Sequence, residues 1–252
     1  MADFLQLLVV SAVMGASIFL ALPVVLKKSM GSRTIAFLNA GAIGILIFLV
    51  GDVFSNASVI IFPNGYVGDR SAIALFLLGI VASFLVLFAL ERRSPDREQV
   101  RPASLALVVA FAIAFQNLTE GLVFGATWAL GITGVLFVIF AGFFLQNVTE
   151  GFPIAAPFLG SDRPPVGLLA SYFLLAGVPT VLGSAAGYYW NSPNLDVLFD
   201  ALAIGAIVYA ILPMIKMAFR PAETREETRT RQDLVYLGVI AGFAIGFLVN
   251  AI

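Results

Sequence analysis

Gln116, Asn117, Leu118, Thr119, Glu120 and Gly121 form a hexapeptide that recurs thirty residues later as Gln146, Asn147, Val148, Thr149, Glu150 and Gly151. Each copy offers one carboxylate and two side-chain amides, all of them oxygen donors. Both copies lie inside long apolar runs. An unpaired glutamate at the centre of a bilayer helix costs at least a few kcal/mol, so intramembrane acids face a bundle interior and usually mark an ion path. Within each copy Gln and Glu are four residues apart, about 40° around a helix, so both look at the same neighbour. Two facing helices of this kind present two carboxylates and up to four amide oxygens. Two carboxylates neutralise one divalent cation, and amide oxygens complete a six-coordinate oxygen shell. The candidate metal ligands are therefore Gln116, Asn117, Glu120, Gln146, Asn147 and Glu150. The competing structural reading makes the amides and threonines interhelical glue; it accounts for them, but not for a glutamate in each copy.

The elements that hold these residues must be membrane helices. Apolar residues make up 60% of the chain and charged residues 12%, and the mean hydropathy is +1.01; an ordinary soluble domain is about 25% charged. Eight apolar stretches can be marked, approximately 4–26, 34–54, 71–90, 103–129, 133–159, 166–190, 197–219 and 234–252, each long enough for roughly 30 Å of hydrocarbon. The fold class expected is all-α, a single polytopic bundle of eight transmembrane helices. Gly131 and Gly134 separate the fourth stretch from the fifth. The first stretch carries its positive residues, Lys27 and Lys28, after the apolar run, which reads as a retained span and not a cleaved signal.

Charge sets the expected orientation. Lys27, Lys28 and Arg33 follow the first span, Arg92, Arg93, Arg97 and Arg101 the third, Arg163 the fifth, and Lys216, Arg220, Arg225, Arg229 and Arg231 the seventh; only Arg70 falls on the other side. Both termini are expected outside, in the plasma membrane. The segments 91–102 and 221–233 read as solvated mixed-charge connectors, and 56–68 as an outer loop. Asp52 is expected near the outer end of the second span, within reach of water.

The two hexapeptides sit on consecutive spans of opposite direction, which is the mark of an inverted repeat about an axis in the membrane plane. A weaker echo pairs Asn39-Ala40-Gly41-Ala42-Ile43-Gly44 with Asp200-Ala201-Leu202-Ala203-Ile204-Gly205. Gly121 and Gly151 allow close helix approach at the site. Pro153 and Pro157 free the carbonyls of Thr149 and Pro153, and Pro179 with Thr180 is expected to interrupt the sixth span in the same manner. Pro23 and Pro213 read as kinks.

Much is excluded. The chain has no histidine and no cysteine, which removes Ser-His-Asp triads, HExxH zinc sites, imidazole relays, thiolate ligands and disulfides. No nucleotide loop and no basic domain are present, so neither an enzyme nor a nucleic-acid partner is expected.

The motif pair and the eight spans resemble the ZIP family of divalent-metal permeases. Its fourth span typically carries His-Asn-x-Pro-Glu-Gly or a close variant, matched here by Gln116, Asn117, Glu120 and Gly121; its fifth carries a related motif, matched by Gln146, Asn147, Glu150 and Gly151. The segments 11–15 and 176–183 are similar too. The resemblance implies a mid-membrane metal site between spans four and five and transport of zinc, iron, manganese or a related ion toward the cytoplasm. The ion is then substrate, with no cofactor; membrane lipid and a second copy in a homodimer are the other partners considered. The chain departs from the pattern where the family has histidine (Gln116 here), proline (Thr119 and Thr149), a span-six acid (Thr180) and a span-seven acid near Pro213, and its span-three loop lacks histidines. An all-oxygen site favours harder ions such as Mn²⁺ or Fe²⁺ over Zn²⁺, since imidazole suits zinc. Two alternatives accompany this reading: glutamates that titrate in a proton or solute transporter, and a scaffold that transports nothing.

Overall fold

The computed structural model describes residues 2–26, 30–65, 68–92, 101–131, 133–160, 164–190, 192–220 and 224–251. Lys27, Lys28, Arg93, Arg97 and Arg163, which enter the charge argument, lie outside the described residues, as do most of the 91–102 connector and residues 221–223. Every described element is helical, and eight helices are long and apolar enough to cross a membrane. The chain is an all-α polytopic bundle, an integral membrane protein.

Span one has three pieces, Ala2–Ala16, a 3-10 segment Ser17–Ala21, and Leu22–Leu26. Span two is Ser32–Ile61, span three Arg70–Arg92, span four Pro102–Ala129, and span five Thr133–Ala155 with a 3-10 turn Ala156–Phe158. Span six is Val166–Tyr189, span seven Pro193–Ala218 and span eight Arg225–Asn250. Local chemistry explains several ends. Pro102 and Pro193 occupy the first helical turn, where the missing N–H is no loss. Gly131, at φ +68°, turns the chain between spans four and five, as expected of it.

Some expectations need correction. Spans two and eight are longer than their apolar runs. The 221–233 stretch is helical from Arg225, because Thr224 Oγ1 accepts the Glu227 N–H at 3.2 Å and starts span eight with a capping residue. Much of the 56–68 loop is the last part of span two, which leaves Asp52 well inside a helix. Span six runs through Pro179 without a break, whereas span one is interrupted where no break was expected. There Ser17 Oγ bonds the Met14 carbonyl at 2.7 Å and the Phe144 carbonyl of span five at 2.9 Å.

Span four packs chiefly against span six, span two against span eight and span three against span seven, with span seven also packed against four and two. Close approaches at glycine show that this arrangement repeats itself. Gly15 and Gly177 meet backbone to backbone, each leaving no room for a side chain on the other. Gly121 lies against Thr180 and Gly183 of span six, while Gly151 lies against Ile18 and Ala21 of span one. Thr180 and Gly183 follow Gly177 at the same intervals as Ile18 and Ala21 follow Gly15. Likewise Gly79 meets Leu198 and Ala201, Gly205 meets Ile80, Gly238 meets Phe37 and Ala40, and Gly44 meets Val239. Exchanging span one with six, two with seven, three with eight and four with five maps each contact onto its mate. The weak echo is therefore in structural register: Phe37 corresponds to Leu198, Ala40 to Ala201, and Asn39 to Asp200.

The alternating helices give the bundle two ends. One, here the basic end, gathers Arg33, Arg220 and Arg231, with Glu226 and Glu227, around a cavity of about 910 Å³. At the opposite end the Phe4 ring packs on Tyr188 and Tyr189, centroids 5.2 Å away.

Candidate functional site

The hexapeptides meet at the centre of the bundle, and all six expected ligands are buried: Gln116 is 2% exposed, Glu120 5% and Glu150 0%. Gln116 joins the two halves. Its Nε2 donates to Glu120 Oε1 one turn along its own helix at 3.2 Å and to Glu150 Oε1 on span five at 2.8 Å. The i, i+4 spacing on span four makes the first bond, and the crossing of the two helices makes the second.

The other amides have separate tasks. Asn117 Nδ2 donates to Asn147 Oδ1 and to the Ala176 carbonyl, both at 2.8 Å, and Asn147 Nδ2 donates to the Phe143 carbonyl at 3.0 Å. The two asparagines thus tie spans four, five and six together, the structural role weighed above for such amides, and Asn147 Oδ1 is already engaged. Gln146 turns to span two, donating to Asp52 Oδ2 at 3.2 Å, while Asn250 holds Asp52 Oδ1 at 2.6 Å. Gly121 and Gly151 do permit close approach, but to spans six and one and not to each other.

Three further acids, Asp52, Asp196 and Asp200, belong to the same neighbourhood. Asp200, 2% exposed, faces Thr119 of span four and lies within Coulombic reach of Glu120. Asp52 lies within reach of both glutamates. Asp196 stands one turn from Asp200, also buried. The signal for Asp196 and Asp200 was present, since an acid in or beside an apolar run obeys the rule applied to the glutamates. Asp200 was read only as part of the echo.

No lysine or arginine lies between Arg33 and Arg70, or between Arg101 and Lys216 apart from Arg163. The helical parts of spans two, four, five, six and seven that surround the site therefore bring no internal counter-charge. Among the described residues, every buried side-chain polar atom without a partner is an oxygen: Glu120 Oε2, Glu150 Oε2, Gln116 Oε1, Asn117 Oδ1, Thr180 Oγ1, Asn39 Oδ1, Asp196 Oδ1 and Asp200 Oδ2. Buried polar groups normally find partners. A set of orphans made only of oxygens, each able to accept, is suited to a cation or to protons and water. No group of three acidic side chains among the described residues is placed to hold a metal ion; the centre offers two carboxylates, and Gln116, Asn117 and Thr180 carry unpartnered neutral oxygens on spans four and six.

Comparison with models of known protein families gives no match, and comparison with characterised proteins gives none either.

Proposed function

We propose that this protein carries a divalent cation across the membrane, with Glu120 and Glu150 as its charged ligands and Gln116 as the amide that joins them. The observation that carries the reading is the pair of buried carboxylates sharing one amide donor, each with its outer oxygen unpartnered, in a core whose helices supply no positive residue. Desolvated carboxylates of this kind are neutralised by a proton or by an opposite charge, and the surrounding helices supply no positive side chain. The repeat of spans one to three by six to eight around the four–five pair supports a transporter, because inverted repeats place their ion sites at the midplane between the halves.

The resemblance of the two hexapeptides to the ZIP pattern supports the same class of cargo, Zn²⁺, Fe²⁺ or Mn²⁺. The oxygen-only donor set ranks the harder ions first. We assign the basic end to the cytoplasm on the positive-inside rule, which sets Asp52, Asp196 and Asp200 on the outer approach to the glutamates and the 910 Å³ cavity on the inner one.

Uptake of Mn²⁺, Fe²⁺ and Zn²⁺ into proteoliposomes, paired with the thermal unfolding midpoint of the purified protein, tests this. A bound ion raises stability by mass action. Wild type should take up at least one of the three and unfold at higher temperature in its presence; Glu120→Gln, Glu150→Gln and the double variant should lose both effects. Normal uptake in the double variant would sink the proposal. Proton flux with no metal-induced stabilisation would replace it with a proton or solute carrier that uses the same glutamates.

A further inference from the structure

The repeat makes Asn39 and Asp200 equivalent positions, yet one is an amide and the other a carboxylic acid. Each lies seven residues into its helix, span two starting at Ser32 and span seven at Pro193, about 10 Å from the end at the helical rise. Because the spans run in opposite directions, Asp200 is near the opposite end and Asn39 near the basic end. Asp200 adjoins Thr119 and the Glu120 side of the site, so its mate faces the Glu150 side. Asn39 also lines the basic-end cavity beside Pro157, and its Oδ1 is buried without a partner. Pro157 stands seven residues beyond Glu150 on span five, so that cavity comes within about 10 Å of the glutamate's level.

We infer that Asn39 is the last oxygen ligand a departing cation meets, the neutral counterpart of Asp200, and that this amide-for-carboxylate difference gives the two approaches to the central glutamates unequal affinity. The inference rests on the cation-transport reading above. Ligand charge count sets the affinity of an oxygen site for a divalent ion. A cation approaching from the opposite end meets Asp196 and Asp200, both buried and both with an unpartnered oxygen. On the basic side it meets an uncharged oxygen at the inner end of a cavity whose rim carries Arg33, Arg220 and Arg231 against Glu226 and Glu227, a net positive rim in place of two buried carboxylates. Capture is favoured at one end and release at the other. For uncoupled flux kcat/KM is equal in both directions, so the end with the lower KM also has the lower kcat.

The test uses the full chain in proteoliposomes of known sidedness, with Mn²⁺ flux measured from each face. Wild type should show the lower KM from the opposite end. Asn39→Asp, nearly isosteric, should lower KM from the basic end, on the order of tenfold, and Asp200→Asn should raise KM from the opposite end by a similar factor. The double exchange should invert the asymmetry, a result that mere loss of folding does not produce. Equal KM from the two faces of wild type overturns the inference, as does an Asn39→Asp protein that transports with unaltered KM from both faces. In either case cation transport itself would stand. If wild type moves neither Mn²⁺, Fe²⁺ nor Zn²⁺, the transport reading fails and takes this one with it.

Discussion

Gln116 donates its side-chain amide to Glu150 across the four–five helix pair at 2.8 Å, and the same nitrogen holds Glu120 at 3.2 Å. One residue thereby sets the spacing of two acids that belong to different halves of the repeat. Its own Oε1 has no partner. A half-turn of the amide would bring that oxygen toward the two carboxylates, the arrangement a cation requires and an empty site disfavours.

Substitution at this position separates charge from geometry. Gln116→Leu removes the shared donor and an oxygen ligand together, and Mn²⁺ uptake should fall by roughly one to two orders of magnitude, the range seen when groups that orient metal ligands are lost. Gln116→His supplies an imidazole and should move competition among Mn²⁺, Fe²⁺ and Zn²⁺ toward Zn²⁺. An unchanged order of preference would show that Gln116 does not touch the ion.

The asparagines should behave differently from the glutamines. Asn117 Nδ2 bridges Asn147 Oδ1 and the Ala176 carbonyl, so Asn117→Leu strands a buried acceptor. It should cost about 1–3 kcal/mol of stability while leaving the order of ion preference as in wild type. Thermal unfolding and competition uptake on one preparation read both quantities. A changed preference at full stability would show that Asn117, whose Oδ1 has no partner, is an ion ligand as well as a tie between helices.

Packing offers a third check, independent of transport. A side chain at Gly121 runs into the backbone of Thr180 and Gly183, whereas Gly142, on span five, faces open space. Gly121→Val should therefore destabilise by about 1–3 kcal/mol, the usual cost of overpacking. Gly142→Ala should unfold no earlier than wild type. Equal behaviour of the two variants in a thermal melt would contradict the close contact of spans four and six.

Asp52 is held by Gln146 and Asn250 and lies within Coulombic reach of both glutamates. Asp52→Asn keeps the shape and removes a charge that concentrates cations near the site, so KM for Mn²⁺ should rise roughly tenfold with little change in kcat. A fall in kcat at constant KM would instead place Asp52 in the rate-limiting step.

The helices and the two glutamates were legible in the sequence because each obeys a one-dimensional rule. Hydrocarbon thickness sets the length of an apolar run, and a carboxylate inside such a run is anomalous wherever the chain goes. The inverted repeat was legible at Glu120 and Glu150 for the same reason, since the motif is written in costly residues. It was faint at Asn39 and Asp200, where the matching letters are small apolar residues common in any membrane helix.

Tertiary structure alone decided which helix each polar group addresses. Gln116 and Gln146 occupy equivalent places in the two motifs and each addresses the glutamate of its own helix, yet the first also bonds Glu150 across the helix pair and the second bonds Asp52 of span two. Gly121 and Gly151 likewise find spans six and one, not each other. Helical spacing specifies the face a residue lies on, but the neighbour across that face is set by how eight rods of unequal polarity pack. Asp200 shows the consequence: its letter could be read from the chain, while its place beside Glu120 depends on span seven folding back against span four.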